Sequence, residues 1–264
     1  MTTGIQIYNT NGSLALSNEQ VIMVRDYPKK RDLADATIIR PATMNPYLRN
    51  AKTKAMDGNT ANCQLYLFST WFITDTGVIY LYQPKQGCTI GCTTGVMPLG
   101  DSGQQGVVGL KDKTKLGYVL PVRLIYTAPN SSENMFRVYD ATGKEVWNLN
   151  SLTDCPIIVD IIDIPRTVTT PFQNWTYKWE TPSNLNPDNI FFMSPNSDYY
   201  SWREEGWDCS WMNFTRDGST YWYVPGVSNP PESYRLRPDV GFTTLAQAFS
   251  QDVKIFVFYV PNAT

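Results

Sequence analysis

Trp211-Met212-Asn213-Phe214-Thr215-Arg216-Asp217-Gly218-Ser219-Thr220-Tyr221-Trp222-Tyr223-Val224 reads as two strands joined by a tight turn. Met212 and Phe214 alternate on one side, Tyr221 and Tyr223 on the other, the period of an extended chain with one buried face. Asp217-Gly218 supplies the turn, because glycine takes the positive φ that a short hairpin demands. Two other segments carry a related recipe. In Tyr8-Asn9-Thr10-Asn11-Gly12 and Tyr139-Asp140-Ala141-Thr142-Gly143, Asn or Asp opens a type I turn and a later glycine is set for the left-handed position of a bulge. Their flanks alternate at Ile5/Ile7 and Phe136/Val138, so both predict antiparallel hairpins.

Outward from these turns, short runs rich in Val, Ile, Tyr, Phe and Trp recur, among them Gln64–Ile73, Val78–Tyr82, Leu116–Tyr126, Ile157–Ile164, Ile190–Met193 and Val253–Val260. Eighteen prolines deny long helices. Only residues 46–56 and 243–250 suit short ones. The fold class expected is all-β: antiparallel β-sandwich-type domains with short helices and long loops. Two domains are expected, an N-terminal β-domain over 1–130 and an aromatic-rich C-terminal β-domain over 131–264. Seven glycines between Gly87 and Gly109 predict an arm over about residues 86–109 that a neighbouring subunit orders; no Gly-Lys-Ser/Thr follows to make a phosphate loop. The strand Val253–Val260 is apolar on both faces, so it belongs inside a sheet covered on two sides or at a subunit boundary.

Composition narrows the chemistry. The 264 residues contain no histidine, which removes Ser-His-Asp and Cys-His catalysis, zincin-type metal sites and imidazole pH switches. Charged residues make up 17% of the chain, below the roughly 25% of an ordinary globular domain. Net charge is -2, with the basic excess in the first half and the acidic excess in the second. A nucleic-acid binder is not distributed this way, whereas complementary patches of this kind register assembly. The N-terminus lacks the basic and apolar regions of a secretory signal, and no apolar run is long enough for membrane insertion. Five scattered cysteines suit unbridged thiols made in a reducing cytosol. No cofactor or metal is expected.

The densest polar-aromatic stretch runs from Tyr199 to Trp211. Trp202, Trp207 and Trp211, with Trp222 beyond, either fill a core or offer flat rings for an interface or a sugar. Glu204, Glu205 and Asp208 bring to mind the paired carboxylates of a histidine-free glycoside hydrolase, but adjacent glutamates on a strand point to opposite faces. Lys111, Lys113 and Lys115 alternate with Asp112 and Thr114, which in a strand displays one basic face. Such a face either protects a sheet edge or meets an acidic partner.

The opening Gly4-Ile5-Gln6-Ile7-Tyr8-Asn9-Thr10-Asn11-Gly12, with Leu14–Ser17 returning, resembles the start of a group of small tailed-bacteriophage virion proteins. Phe136 to Trp147 looks like the internal hairpin of the same kind of protein. The resemblance implies a non-enzymatic structural part of the virion, at the tail tip, baseplate or fibre attachment, made in the host cytoplasm. Its partners would be other virion subunits, including copies of itself. The alternatives are a carbohydrate- or receptor-binding module that uses exposed Trp and Tyr on a host-surface glycan, and the histidine-free glycoside hydrolase.

Overall fold

The computed structural model describes residues 6–8, 14–17, 24–25, 30–35, 37–38, 48–58, 61–67, 78–93, 106–123, 137–139, 142–143, 145–148, 156–165, 176–194, 199–203, 206–227, 252–261 and 263. Their strands pair antiparallel, and the only helical elements among them are three short 3-10 turns. The protein is all-β.

An eight-stranded sheet runs β16 (Tyr177–Glu180), β20 (Thr220–Val227), β19 (Gly206–Asp217), β10 (Thr89–Thr93), β11 (Gly106–Leu110), β8 (Cys63–Leu67) and β5 (Thr37–Ile38), with β18 (Tyr199–Arg203) also paired to β19. A seven-stranded sheet runs β15 (Ile157–Ile164), β21 (Val253–Tyr259), β17 (Ile190–Met193), β9 (Val78–Pro84), β12 (Gly117–Arg123) and β3 (Val24–Arg25), with β4 (Arg31–Asp32) also on β12. Three hairpins form separate two-stranded sheets: β1 (Gln6–Tyr8) with β2 (Leu14–Ser17), β6 (Leu48–Arg49) with β7 (Met56–Gly58), and β13 (Arg137–Tyr139) with β14 (Glu145–Asn148). Each large sheet takes strands from both sides of residue 130. Among the described residues, the segments 1–130 and 131–264 therefore share their sheets rather than forming one each.

The architecture is sandwich-like because alternation sends one face of each sheet into a common core. Tyr66, Ile90, Val107, Phe214, Tyr221 and Tyr223 enter it from the eight-stranded sheet, and Tyr82, Val119, Ile162, Phe192, Ile255 and Val257 from the seven-stranded one. Phe192 is the hub of its aromatic part. Its ring centroid lies 4.7 Å from Tyr221, 5.5 Å from Tyr223, 5.6 Å from Phe214 and 6.1 Å from Trp179. The next residue back, Phe191, points the other way into a second cluster with Leu81, Leu120, Phe258 and Val260. The seven-stranded sheet is thus buried on both faces across its middle strands. The C-terminal strand, apolar on both sides, sits inside it between β15 and β17, as its pattern predicts.

Gly218 and Gly143 take the positive φ expected of them, while residues 9–13 and 140–141 of the other two turns lie outside the described residues. β19 and β20 close through Asp217↔Thr220, with Gly218 at φ +63 as the first central residue of the turn. The β1–β2 and β13–β14 registers each shift next to the turn, after Ile7 and after Val138, and Gly143 sits at φ +83.

Three expectations are corrected. Residues 46–56 contain no helix where described. The Asn50 side chain accepts from the amides of Lys52 and Thr53, and Lys54 takes φ +62, so the chain turns back as a hairpin. The glycine-rich segment is not an arm at its two ends. β10 and β11 pair with each other inside the eight-stranded sheet, and a Cβ on Gly109 would lie 2.3 Å from Leu116 Cδ2. That glycine serves close packing; residues 94–105 lie outside the described residues. Lys111, Lys113 and Lys115 do not share a strand face. Asp112 caps a 3-10 turn over Lys113–Lys115, accepting from the Thr114 amide, and this turn carries the chain from one sheet to the other. The helix expected over 243–250 lies outside the described residues.

Candidate functional site

The described sheet edges differ sharply in their chemistry. The eight-stranded sheet ends in β5, two residues long, and in β16, whose Lys178 and Glu180 are exposed and paired to each other. The seven-stranded sheet ends on one side in β3 and β4, two residues each. Its other end is β15, Ile157-Ile158-Val159-Asp160-Ile161-Ile162-Asp163-Ile164, eight residues with no Lys, Arg or Pro. Shortness, lysine and proline are the usual devices that stop an edge from recruiting another strand. β15 has none of these three; a bulge at Val159 and two exposed aspartates are what interrupt it.

Register explains which side chains β15 shows. Ile162 and Ile164 face the core and are buried. Ile157, Ile158, Val159 and Ile161 are between 36 and 49% exposed, unusual for residues of this type in one strand. Val159 is the extra residue of a bulge, since Ile158 faces Phe258 and Asp160 faces Val257. Both carboxylates of the strand are engaged within the chain. Asp160 Oδ2 accepts from Trp179 Nε1 of β16 at 2.8 Å, which ties the two sheets together at this edge, and Asp163 pairs with Lys254 at 2.9 Å. Beside Trp179, Tyr177 is exposed on β16. The edge is therefore rich in Ile and Val, both its carboxylates are bonded within the chain, and among the described residues its outer main chain has no strand partner.

At the end of the sandwich near the 3-10 turn Pro187–Asn189, a polar network does a different job. Gln83, fully buried, donates from Nε2 to the carbonyls of Asp188 at 3.0 Å and Ile190 at 2.7 Å. Tyr221 donates to the Pro187 carbonyl at 2.7 Å, and Arg216 pairs with Asp188 at 2.6 Å. Lys30 Nζ lies 3.3 Å from both Gln83 Oε1 and the Asp188 carbonyl and 4.5 Å from the Tyr118 ring centroid. Burial lowers its pKa, opposed by the nearby Asp188 carboxylate. Each donor meets a carbonyl or carboxylate, so the network satisfies the turn's backbone rather than presenting reactive groups.

No family model, curated protein or solved structure matches the chain. The reading of the site thus rests on its own geometry.

The structure separates the residues singled out from sequence. Trp202 and Trp207 face each other as backbone partners across β18 and β19, and Trp211 faces Gly226 on β20; their side chains lie outside the described residues. Trp222 is half-buried, with Lys178 Nζ 5.6 Å from its ring centroid and its indole N–H buried without a partner. Glu204 and Glu205 lie outside the described residues, as does the side chain of Asp208. Lys111 donates to the Ala61 carbonyl, Lys113 to the Ala34 carbonyl at 2.7 Å, and Lys115 pairs with Asp112 at 3.7 Å. These three lysines tie separate loops together. Among the described residues, no group of three His, Cys, Asp or Glu converges as metal ligands, and no helix is long and apolar enough to cross a membrane. Cys63, Cys88 and Cys92 form no disulfide, and burial pushes the Cys63 thiol up to about 11, away from nucleophilic character.

The sequence names Ile157–Ile164 as a strand but does not mark it as the site. One signal was present. Asp160 and Asp163 interrupt an otherwise wholly apolar run, which suits a strand that is only half inside a core.

Proposed function

We propose that the protein is a non-enzymatic structural subunit, a virion part of the tailed-phage kind its hairpins resemble, which works by docking a sheet edge and its apolar border onto a neighbouring subunit. The observation that carries this reading is β15, an eight-residue edge strand rich in exposed Ile and Val, without the brevity of β3, β4 and β5 or the lysine of β16. An exposed edge of this kind is an aggregation hazard unless something covers it, and assembly supplies the cover. The pairing of Asp163 with Lys254 supports the same reading, because docking then leaves that carboxylate with its counter-ion. The aromatic core supports it more distantly, by giving a rigid platform on which the edge is held.

The test is where the chain resides. Mass spectrometry of peptides from density-purified particles, prepared from the source that carries the gene, is expected to recover this chain at fixed stoichiometry with tail proteins. Recovery only from the soluble fraction, as an unassembled 30.0 kDa chain, overturns the reading.

A further inference from the structure

We infer that β15 pairs antiparallel with β15 of a second copy of this chain, joining two seven-stranded sheets across a two-fold axis. The inference rests on the assembly reading above and names its partner. Three observations favour a second copy over an unrelated strand. First, β15 shows a matching surface: four of its six exposed side chains are Ile or Val, the others being Asp160 and Asp163, so identical strands meet largely apolar against apolar. Second, both carboxylates keep partners on their own chain: Asp163 is paired with Lys254, and Asp160 accepts from the Trp179 indole N–H. Third, a two-fold register exists that uses the bulge. With Ile158 of one copy opposite Ile161 of the other, both pairs lie on the sheet face that Phe258 and Phe256 occupy in β21. That register also places Asp160 opposite Val159 and keeps the four carboxylates from facing one another, which like charges directly across a ladder require. A closed two-fold pair consumes both open edges and leaves none to propagate.

The experiment uses the full chain. Sedimentation equilibrium over a concentration series from about 1 to about 100 µM, which spans free energies of about -8 to about -5 kcal/mol, is expected to show a monomer–dimer equilibrium. Hydrogen exchange on the same samples is expected to show amides of 157–164 gaining protection as the dimer fills. The double variant Ile158→Lys, Ile161→Lys, which places on this edge the residue that closes natural ones, is expected to weaken the dimer by at least about tenfold. Amides of β21 should keep their protection in that variant, showing that the sheet is intact. A dimer of unchanged strength in the folded variant, or protection of 157–164 that ignores concentration in the wild-type chain, overturns the pairing. If the variant fails to fold, the concentration dependence of the wild-type exchange decides alone. A chain that stays monomeric yet is found in purified particles sinks this pairing and spares the assembly reading; one that dimerises through β15 but is absent from particles does the reverse.

Discussion

The two ends of the seven-stranded sheet solve the same problem in opposite ways. On the β12 side the edge is broken into β4, which pairs Tyr118 and Val119, and β3, which pairs Val122 and Arg123. Among the described residues the gap falls at Leu120-Pro121, and Pro121 has no N–H to offer a neighbour. Arg31, Asp32 and Lys30 complete the closure with charge, Asp32 taking Lys85 at 2.7 Å. On the β15 side the edge is one continuous eight-residue strand, rich in Ile and Val, whose two exposed carboxylates are bonded within the chain. The same sheet that closes one end with proline, brevity and ion pairs leaves the other end as a template. The contrast teaches that the open edge is a feature of the fold's design and not a by-product of a β-rich composition.

If both edges hang on one core, damage at its hub should reach both. Phe192→Ala is expected to cost about 3–5 kcal/mol, because the ring is almost fully buried and the cavity cannot collapse among four other aromatic groups. Urea unfolding should show one transition at a lower midpoint, with amides of β15 and β12 losing protection together. Two transitions, one for each end, would break the comparison by showing that the edges belong to separate cooperative units.

A smaller and more local effect should distinguish the ends. Asp160→Ala removes the acceptor of the Trp179 indole N–H, which is buried, and is expected to cost about 1–3 kcal/mol. Exchange should rise in β15 and β16 while β3, β4 and β12 stay as they were. Equal loosening at both ends would mean that this bond does not anchor the open edge.

The parts of this fold that could be read from sequence are those decided locally. The β19–β20 hairpin follows from Asp217-Gly218 and its flanking alternation, and the two-faced character of β21 follows from counting along one strand. The order of strands in a sheet is not local. Ile157 finds Tyr259 and Phe192 finds Tyr82, and nothing near any of those residues says so. The edge position of β15, and with it the candidate site, is a consequence of that order. The glycines of 86–109 misled for a related reason. A glycine that lets Leu116 approach within a sandwich has the same composition as one in a loose arm. At 46–56 the helix expectation lost to side-chain bonds from Asn50, which the pattern of apolar residues does not contain.

The core and the edges should also part company in alkali. Tyr66 is fully buried, donates to the Leu110 carbonyl at 2.5 Å, and has its pKa pushed up to about 12 by burial. The unfolded chain releases that proton near the ordinary tyrosine value of about 10. Between these values the unfolded state holds fewer protons than the folded one, so stability falls as pH rises. Tyr66 alone can contribute a slope of at most about 1.4 kcal/mol per pH unit across that window. Tyr66→Phe is expected to flatten the decline measured by urea unfolding at pH 9, 10 and 11. An unchanged slope would mean that other groups carry the alkaline transition, and would leave the core–edge distinction without this support.

The smallest effect is the one that most sharpens the contrast. Ile161 and Ile162 are neighbours on β15, one half-exposed and one buried in the core. Ile162→Ala should cost the lone chain about 2–5 kcal/mol, whereas Ile161→Ala should leave it within about 0.5 kcal/mol, because a side chain already in water loses little by shrinking. The value of an isoleucine at position 161 must then show elsewhere. In dilute solution the two proteins, wild type and Ile161→Ala, should unfold at nearly the same urea concentration; at concentrations where dimer forms they should diverge, the wild type alone gaining stability by mass action. Identical unfolding at every concentration would mean that the exposed isoleucine contributes to no contact, and the open edge would lose the functional meaning assigned to it.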